Sequence, residues 1–171
     1  HVVILPVLHK EEFKSQVLEY CDKLKEELEA QSFNGKAVVV ECDSREIRGG
    51  GKMWEWIKKG VPLRVEVGPR DMEKDAVFVG RRDKGVKEKE SMPRAAFVEN
   101  IGSILQEMQD NLLERARSFR KEHTVKIDSK DDFYSFFTPK NKEKPEIHGG
   151  FALAHWNGIS EVEEQINSDL K

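Results

Sequence analysis

The sequence predicts an α/β fold followed by a small α+β unit, and three observations support this prediction. First, a buried strand over residues 2–8, a helix over 11–30 and a second strand over 37–42 form a βαβ unit, whose strands should be parallel. Second, Asp83-Lys84-Gly85 separates two strand-like segments, which is typical of an antiparallel hairpin. Third, shorter elements replace the long ones after residue 122.

The two strands of the βαβ unit are short, continuous apolar runs, VVILPVL and AVVVEC, as expected of strands that are covered on both faces. Between them, apolar residues recur at steps of three and four, which predicts an amphipathic helix. These residues are Phe13, Val17, Tyr20, Cys21, Leu24 and Leu28. We expect Asn34-Gly35 to end this helix.

The next two elements are a short helix, KMWEWIKKG (52–60), and a strand, PLRVEVG (62–68). The strand alternates between apolar and charged residues, which predicts one face in the core and one face in solvent. Arg64 and Glu66 share the face that is predicted to be in solvent.

A hairpin and a long helix complete the larger unit. The segments 76–82 and 86–91 are the predicted hairpin strands, and Pro93 precedes one long helix over about 94–122. We therefore predict a first domain over residues 1–122 and a second over 123–171.

The second domain is predicted from short elements alone. A strand at 124–128 is followed by Ser129, which is a suitable N-cap for the helical segment DDFYSFF. TPKNKEKPEIHGG (138–150) is a charged loop, and a strand (150–156) and a small helix (160–170) follow it.

Charge and composition exclude some functions and leave others open. The 171 residues carry 29 Lys and Arg against 32 Asp and Glu, a net charge of −3, so the whole chain shows no nucleic-acid signature. Residues 45–89 hold 13 basic and 8 acidic residues, an excess of +5. Such a basic region can attract an anionic polymer, although an unevenly charged solvated surface gives the same count.

The sequence offers no pattern for catalysis, metal binding or a membrane span. RGGGK (48–52) fails the P-loop pattern, because Glu46 and Met53 stand where glycine and a hydroxyl residue are required, and a surface loop is favoured. None of the five histidines has metal-binding spacing, and the longest apolar run is too short for a bilayer. Two cysteines without a CxxC pattern indicate buried thiols of a reducing, cytoplasmic compartment. The chain also opens at His1 directly in a strand, which indicates a piece of a longer protein.

The charges around the strand 62–68 suit recognition of a guanine base. A guanidinium can donate to guanine O6 and N7, and a carboxylate can accept from its N1–H and N2–H₂. Arg64 and Glu66 lie on the strand, and Arg70 and Asp71 follow it. The alternative is a surface ion pair between Arg64 and Glu66, with the tryptophans in the core.

Two kinds of helper residue flank this strand. Lys58 and Lys59 are candidates for contacts with phosphates, and Trp54 or Trp56 offers a surface on which a base can stack.

The stretch KMWEWIKKGVPLRVEVGPRD, with FVGRRDKG after it, resembles the anticodon-binding domain of prolyl-tRNA synthetases of the archaeal/eukaryotic-like form. HVVILPV and GGFALAHWNG with EVEEQI extend this resemblance over nearly the whole chain. It implies the class II aminoacyl-tRNA synthetase anticodon-binding fold, a five-stranded mixed sheet with three helices, followed by a small α+β C-terminal domain.

The resemblance also implies a partner and a set of site residues. It implies that the chain binds tRNA-Pro, whose anticodon ends in two guanines, and that Arg64, Arg70 and Asp71 contact the anticodon. With Glu66 and Lys59 these are the expected anticodon-binding residues. The candidates for contacts with the RNA backbone are Lys52, Lys58, Arg81 and Arg82.

The resemblance places the chemistry of the parent enzyme elsewhere. Activation of proline with ATP and Mg²⁺, and dimerisation, are expected of a catalytic domain outside this chain, so neither a catalytic residue nor a cofactor is predicted here. The alternative is a non-catalytic paralogue or accessory protein that uses this fold to bind protein or RNA.

The sequence departs from the family pattern at three points. Ile57 stands where members usually carry an acid at the anticodon. Asn157 and Val162 stand where many members have the first pair of zinc-binding cysteines, so no zinc is predicted. The chain stops at Lys171, whereas members usually continue to a terminal tyrosine.

Overall fold

The computed structural model describes residues 1–8, 11–45, 47, 50–141, 143–144 and 150–170. The chain divides into two compact units, His1–Leu112 and Leu113–Lys171. The division falls inside a helix that ends at Glu122, so the domain boundary after residue 122 stays a prediction. Parts of two predicted loops lie outside the described residues, namely positions 46, 48 and 49, and positions 142 and 145–149.

The first unit contains a sheet and its covering helices, and α5 continues into the second unit. In chain order the elements are β1 (Val2–Pro6), α1 (Glu11–Glu29), β2 (Ser32–Phe33), β3 (Lys36–Ala37), β4 (Val40–Cys42), α2 (Gly51–Lys58), β5 (Leu63–Val67), α3 (Pro69–Glu73), β6 (Ala76–Arg81), β7 (Lys89–Pro93), α4 (Arg94–Glu99) and α5 (Ile101–Glu122).

The sheet has five strands in the order β4-β1-β5-β6-β7. β1 pairs in parallel with both β4 and β5, whereas β6 and β7 add to the sheet as antiparallel neighbours. The parallel βαβ unit and the antiparallel hairpin predicted from the sequence are therefore confirmed, and so is the five-stranded mixed sheet.

One face of the sheet forms the core against α1, α4 and α5. Alternate residues of β1, β5 and β6, among them Ile4, Val65 and Val79, lie in one cross-strand row and are at most 1% exposed. Leu24 and Phe97 from the helices join them in the same apolar cluster. Full burial of such side chains stabilises a fold by about 1.5–3 kcal/mol each.

The opposite face carries polar side chains near its β5–β7 end. Arg64 of β5 pairs with Gly80 of β6, which pairs with Lys89 of β7. Glu66 pairs with Phe78 in the next row on this face. We call the surface formed by these five residues the polar face.

Turn geometry accounts for the differences from the predicted elements. Asn34-Gly35 does not end α1, which stops at Glu29; it forms the tight turn between β2 and β3. Both turn residues have positive φ, 51° and 74°, which Asn and Gly tolerate best. The predicted helix 94–122 is divided at Asn100, whose φ and ψ of −96° and 8° leave the helical region.

Two further strand boundaries moved, and one short helix was not predicted. The strand predicted from residue 37 begins at Val40, and the hairpin strand predicted from 86 begins at Lys89. The bend after β5 is the short helix α3, which Pro69 begins at its first turn, a position where proline is favoured.

The second unit contains β8 (Thr124–Lys126), α6 (Lys130–Phe137), β9 (Phe151–Leu153) and α7 (Ser160–Asp169). β8 and β9 form a two-stranded parallel sheet. Ser129 caps α6 as predicted, because its Oγ accepts a 3.1 Å hydrogen bond from Asp132 N. In the part of the chain that the structure describes, no helix combines the length and apolarity needed to cross a membrane.

Candidate nucleic-acid interface

Arg64 is a buried cation with few partners. Its side chain lies on the polar face, but only 3% of the residue is exposed, so the predicted solvent-facing position is wrong. Nη2 donates one long hydrogen bond of 3.4 Å to Arg81 O, and Nε has no hydrogen-bond partner among the described residues. Burial lowers the pKa of the guanidinium, and the charge of Glu66 opposes this effect. The structure therefore holds a donor in place without satisfying it.

Gly80 is the reason that Arg64 can lie flat against the sheet. A Cβ at this position would lie 3.2 Å from Arg64 Nη2 and 3.5 Å from Lys89 Cγ. The guanidinium and the stem of Lys89 therefore both lie in the space that the missing side chain leaves on β6.

Glu66 is paired with Lys89 and not with Arg64. Lys89 Nζ donates to Glu66 Oε1 across the intervening strand, and both side chains are largely covered. The alternative of a simple surface ion pair between Arg64 and Glu66 is therefore wrong. The face instead holds two cations and one carboxylate close together, with a net positive charge.

Arg70 and Asp71 lie on α3, at the end of β5 that continues from Val67. Asp71 is half-buried, and its Oδ2 accepts a 2.8 Å hydrogen bond from Gly68 N, which fixes the entry into the helix. Asp71 thus has one oxygen engaged by the backbone. Arg70 is exposed. Both remain proposed contact residues.

Lys52 is not a surface cation. It is 9% exposed, and its Nζ donates 2.8 Å hydrogen bonds to Asp43 O and Arg45 O. It therefore closes the loop between β4 and α2, and as the structure stands its ammonium is not available to an RNA phosphate. The expectation of an exposed Lys52 is wrong, because two carbonyl groups satisfy the charge inside the fold.

The same loop positions Trp56. Asp43 accepts from Trp56 Nε1 at 2.7 Å and from Arg45 at 2.9 and 2.7 Å. The Arg45 hydrogen bonds, with that of Trp56, hold the pKa of Asp43 well below its usual range despite burial. Arg45 also reaches Glu55 at 2.8 Å, so α2 is tied to the loop at two points.

The exposed residues of α2 and of its C-terminal end fit the predicted contacts with the RNA backbone better than Lys52 does. Lys58 and Lys59 are exposed, and Lys59 Nζ lies 4.0 Å from the centroid of the Trp56 ring. Trp54 is 50% exposed, so it offers a stacking surface. Ile57, at the position of the family's acid, is half-buried.

Arg81 lies on the helix-covered face of the sheet and is 5% exposed. It makes a two-pronged ion pair with Asp83, at 3.0 and 2.8 Å, and a third bond to Glu107 of α5 at 3.1 Å. The expectation that Arg81 contacts RNA is therefore not supported by its placement, since its donors are used inside the fold. Arg82 is exposed, and its Nη1 donates to Gly60 O at 2.8 Å.

Sequence reasoning did not include Gly80, Lys89 and Phe78 in the site. The signal that could have found them is the period-two pattern of the hairpin, which places all three on the side of the sheet that carries Arg64 and Glu66. The pairing register between β5 and β6 was needed to use that signal.

The absence of zinc stays a prediction. Asn157 accepts a 3.1 Å hydrogen bond from Ile159 N, and Val162 is partly exposed on α7. Within the described ranges, no group of three or more His, Cys, Asp or Glu side chains is placed to hold a metal ion. Cys21 is buried and Cys42 half-buried, and both are free thiols.

The mixed sheet with a buried guanidinium beside a carboxylate is an arrangement suited to a domain that recognises bases. The family profile described as "Anticodon binding domain" matches residues 1–104. The chain belongs to the anticodon binding domain family.

Within this family, the chain is similar to proline–tRNA ligases over nearly its whole length. Proline–tRNA ligase 2 of Anaeromyxobacter dehalogenans is 56% identical over 173 residues, which cover 99% of this chain and 34% of the ligase. The proline–tRNA ligase of Protochlamydia amoebophila is 50% identical over 171 residues, with the same two coverages.

Comparison with solved structures also finds a prolyl-tRNA synthetase. A prolyl-tRNA synthetase from Cryptosporidium parvum, crystallised with L-proline and AMP, superposes with a TM-score of 0.72 at 28% identity and covers 99% of this chain. The resemblance to prolyl-tRNA synthetase is confirmed, and the chain spans about a third of the length of these relatives.

Proposed function

We propose that this chain reads the anticodon of tRNA-Pro as part of a proline–tRNA ligase. The observation that carries the proposal is Arg64, a buried guanidinium whose Nε lacks a partner among the described residues. An unsatisfied buried donor costs about 1–3 kcal/mol of stability, so its presence in a folded domain indicates a functional role such as ligand binding. A base edge that supplies two acceptors would satisfy it.

Guanine suits this site better than the other bases. Its O6 and N7 can accept from Arg64, while its N1–H and N2–H₂ can donate to a carboxylate such as Glu66. Arg70 and Asp71, on the short helix that follows β5, are proposed to contact the neighbouring base. Both guanines that end the tRNA-Pro anticodon would then contact residues of one strand and its continuation.

Exposed cations would supply affinity without sequence preference. Lys58, Lys59 and Arg82 are exposed and are proposed to contact phosphates. This division of roles assigns selectivity to the polar face and α3, and electrostatic attraction to the end of α2 and to Arg82.

We further propose where the chemical steps of the whole enzyme take place. Proline–tRNA ligase activates proline with ATP and transfers it to tRNA, and we assign these steps to the rest of the enzyme, beyond the third that this chain matches. A homodimer and a cytoplasmic location are proposed on the same basis, as is the absence of any contact with a membrane.

A salt-titrated binding assay tests the proposal. The chain should bind the tRNA-Pro anticodon stem-loop more tightly than a stem-loop with both guanines changed to adenines, with the same salt slope. Arg64→Ala should reduce this preference by about 1–3 kcal/mol. The matched control Lys58→Ala should weaken both stem-loops equally. Equal affinity of the unmodified chain for the two stem-loops would reject base recognition.

A further inference from the structure

We propose that Lys89 is a gate over the guanine-binding group Arg64, held closed by its ion pair with Glu66 and opened when a guanine replaces Lys89 at that carboxylate. The inference rests on the proposed function and adds a specificity-determining residue to it. Three features of the polar face support it: the path of the Lys89 stem, the balance of charge and the exchange of hydrogen-bond donors.

The first feature is the path of the Lys89 stem. Lys89 begins on β7, and its ammonium reaches Glu66 on β5, so the side chain crosses β6. It crosses at Gly80, where a Cβ would lie 3.5 Å from Lys89 Cγ and 3.2 Å from Arg64 Nη2. The Lys89 stem and the guanidinium thus both border the space above Gly80, and in the proposal the methylene groups of Lys89 help to keep the guanidinium from solvent.

The second feature is the balance of charge. Glu66 is the partner of Lys89, and its charge also acts on Arg64. One carboxylate thus serves two cations, which leaves one positive charge uncompensated in a largely covered site. The closed state therefore carries the free-energy cost of a guanidinium whose donors are not satisfied. A ligand that supplies hydrogen-bond acceptors to Arg64 removes this cost when it binds.

The third feature is the exchange of donors at Glu66. When guanine enters, its N1–H and N2–H₂ can take the place of the Lys89 ammonium as donors to the carboxylate, while O6 and N7 accept from Arg64. The released ammonium can then move to a phosphate. Adenine has an unprotonated N1 that would face the carboxylate, so it cannot take over from Lys89, and the gate would remain closed.

The position of the gate can be tested without RNA. An arginine-specific dicarbonyl reagent, followed by peptide mass spectrometry, reports the reaction rate of each arginine. Arg64 should react slowly in the unmodified chain and several-fold faster in Lys89→Ala and Lys89→Met, whereas the exposed Arg82 should react at an unchanged rate and serves as the folding control. An unchanged Arg64 rate in both variants would overturn the gate.

The link to guanine is tested with the two stem-loops. Lys89→Met should bind the guanine stem-loop with a faster association rate than the unmodified chain and should change association with the adenine stem-loop less. The control Lys36→Ala removes an exposed lysine of β3 and should leave the preference unaltered. A uniform change of both association rates would reduce Lys89 to a general electrostatic contact and overturn the gate.

The two proposals can fail separately. If Arg64 becomes reactive in the Lys89 variants but neither stem-loop is preferred, the cover that Lys89 forms over Arg64 is supported, whereas anticodon reading, and with it the opening of the gate by guanine, is rejected. If the guanine stem-loop is preferred but the reactivity of Arg64 does not depend on Lys89, anticodon reading is supported and the gate is rejected.

Discussion

Replacing Arg64 with methionine should separate stability from recognition. The residue is 3% exposed, and among the described residues its side chain has one hydrogen bond of 3.4 Å and an Nε without a partner. An unsatisfied buried donor costs about 1–3 kcal/mol, and an apolar side chain at this position removes that cost together with the desolvation of the guanidinium. The shorter methionine leaves some empty volume, which offsets part of this gain. We expect Arg64→Met to raise the free energy of unfolding by about 1–2 kcal/mol and to reduce the preference for guanine by about 1–3 kcal/mol, since Arg70 and Asp71 are proposed to contact the second guanine.

Arg81 supplies a matched control in the same sheet. It is also an almost fully buried arginine, but Asp83 and Glu107 satisfy its donors. Arg81→Met would break the buried ion pair with Asp83 by removing one partner, which typically costs about 3–5 kcal/mol. The same substitution should therefore have opposite effects on stability at two neighbouring strands.

Urea denaturation followed by circular dichroism measures both free energies, and the stem-loop assay measures the preference. A loss of stability in Arg64→Met as large as that in Arg81→Met would show that Arg64 is a structural residue. The reasoning from its unpartnered donor would then be refuted, even if RNA binding also fell.

Three further changes have definite expectations. Gly80→Ala should displace the Arg64 guanidinium, because the new Cβ would lie 3.2 Å from Nη2, and the preference for guanine should fall by about 1 kcal/mol in the stem-loop assay with little effect on an adenine control. The hydrogen bonds from Arg81 lower the pKa of Asp83 from 3.8 to about 2, so this stabilisation, of about 2 kcal/mol, is present above pH 3.8 and is lost as the pH falls towards 2. The difference in unfolding free energy between the unmodified chain and Asp83→Asn should shrink over this range, and a constant difference would contradict the assignment. Asp71→Ala removes the acceptor for Gly68 N and should cost about 1 kcal/mol in urea denaturation, an effect that Asp71→Asn should largely avoid.

Patterns formed by residues that are close together in the sequence predicted most of the fold. The apolar runs around Ile4 and Val40, and the periodic residues between them, give the parallel βαβ unit because burial on both faces requires such runs. The turn at Asp83-Lys84-Gly85 gives the antiparallel pairing of β6 and β7. Asn34-Gly35 was assigned to the end of α1, because a helix stop and a hairpin turn both need positive φ.

The burial of charged side chains could not be predicted, since it depends on residues that are distant in the sequence. Alternation placed Arg64 correctly on the face opposite the apolar core, but it could not show that this position is covered or that the guanidinium occupies the space above Gly80. The sequence predicts an exposed Lys52, whereas in the structure its ammonium donates to the carbonyl groups of Asp43 and Arg45. The charge of a side chain follows from the residue type alone. Its burial on a sheet can be predicted only when the pairing register of the neighbouring strands is known.

The position of β1 between β4 and β5 has a consequence for biosynthesis. Its partners β4 and β5 begin at Val40 and Leu63, so β1 is synthesised before either neighbour and waits longest for β5. At translation rates of about 5–20 residues per second, β1 waits roughly 3–12 s for its second partner. During that interval the edge of β1 that pairs with β5 in the folded sheet has no native strand beside it, so its backbone N–H and C=O groups are unpaired there.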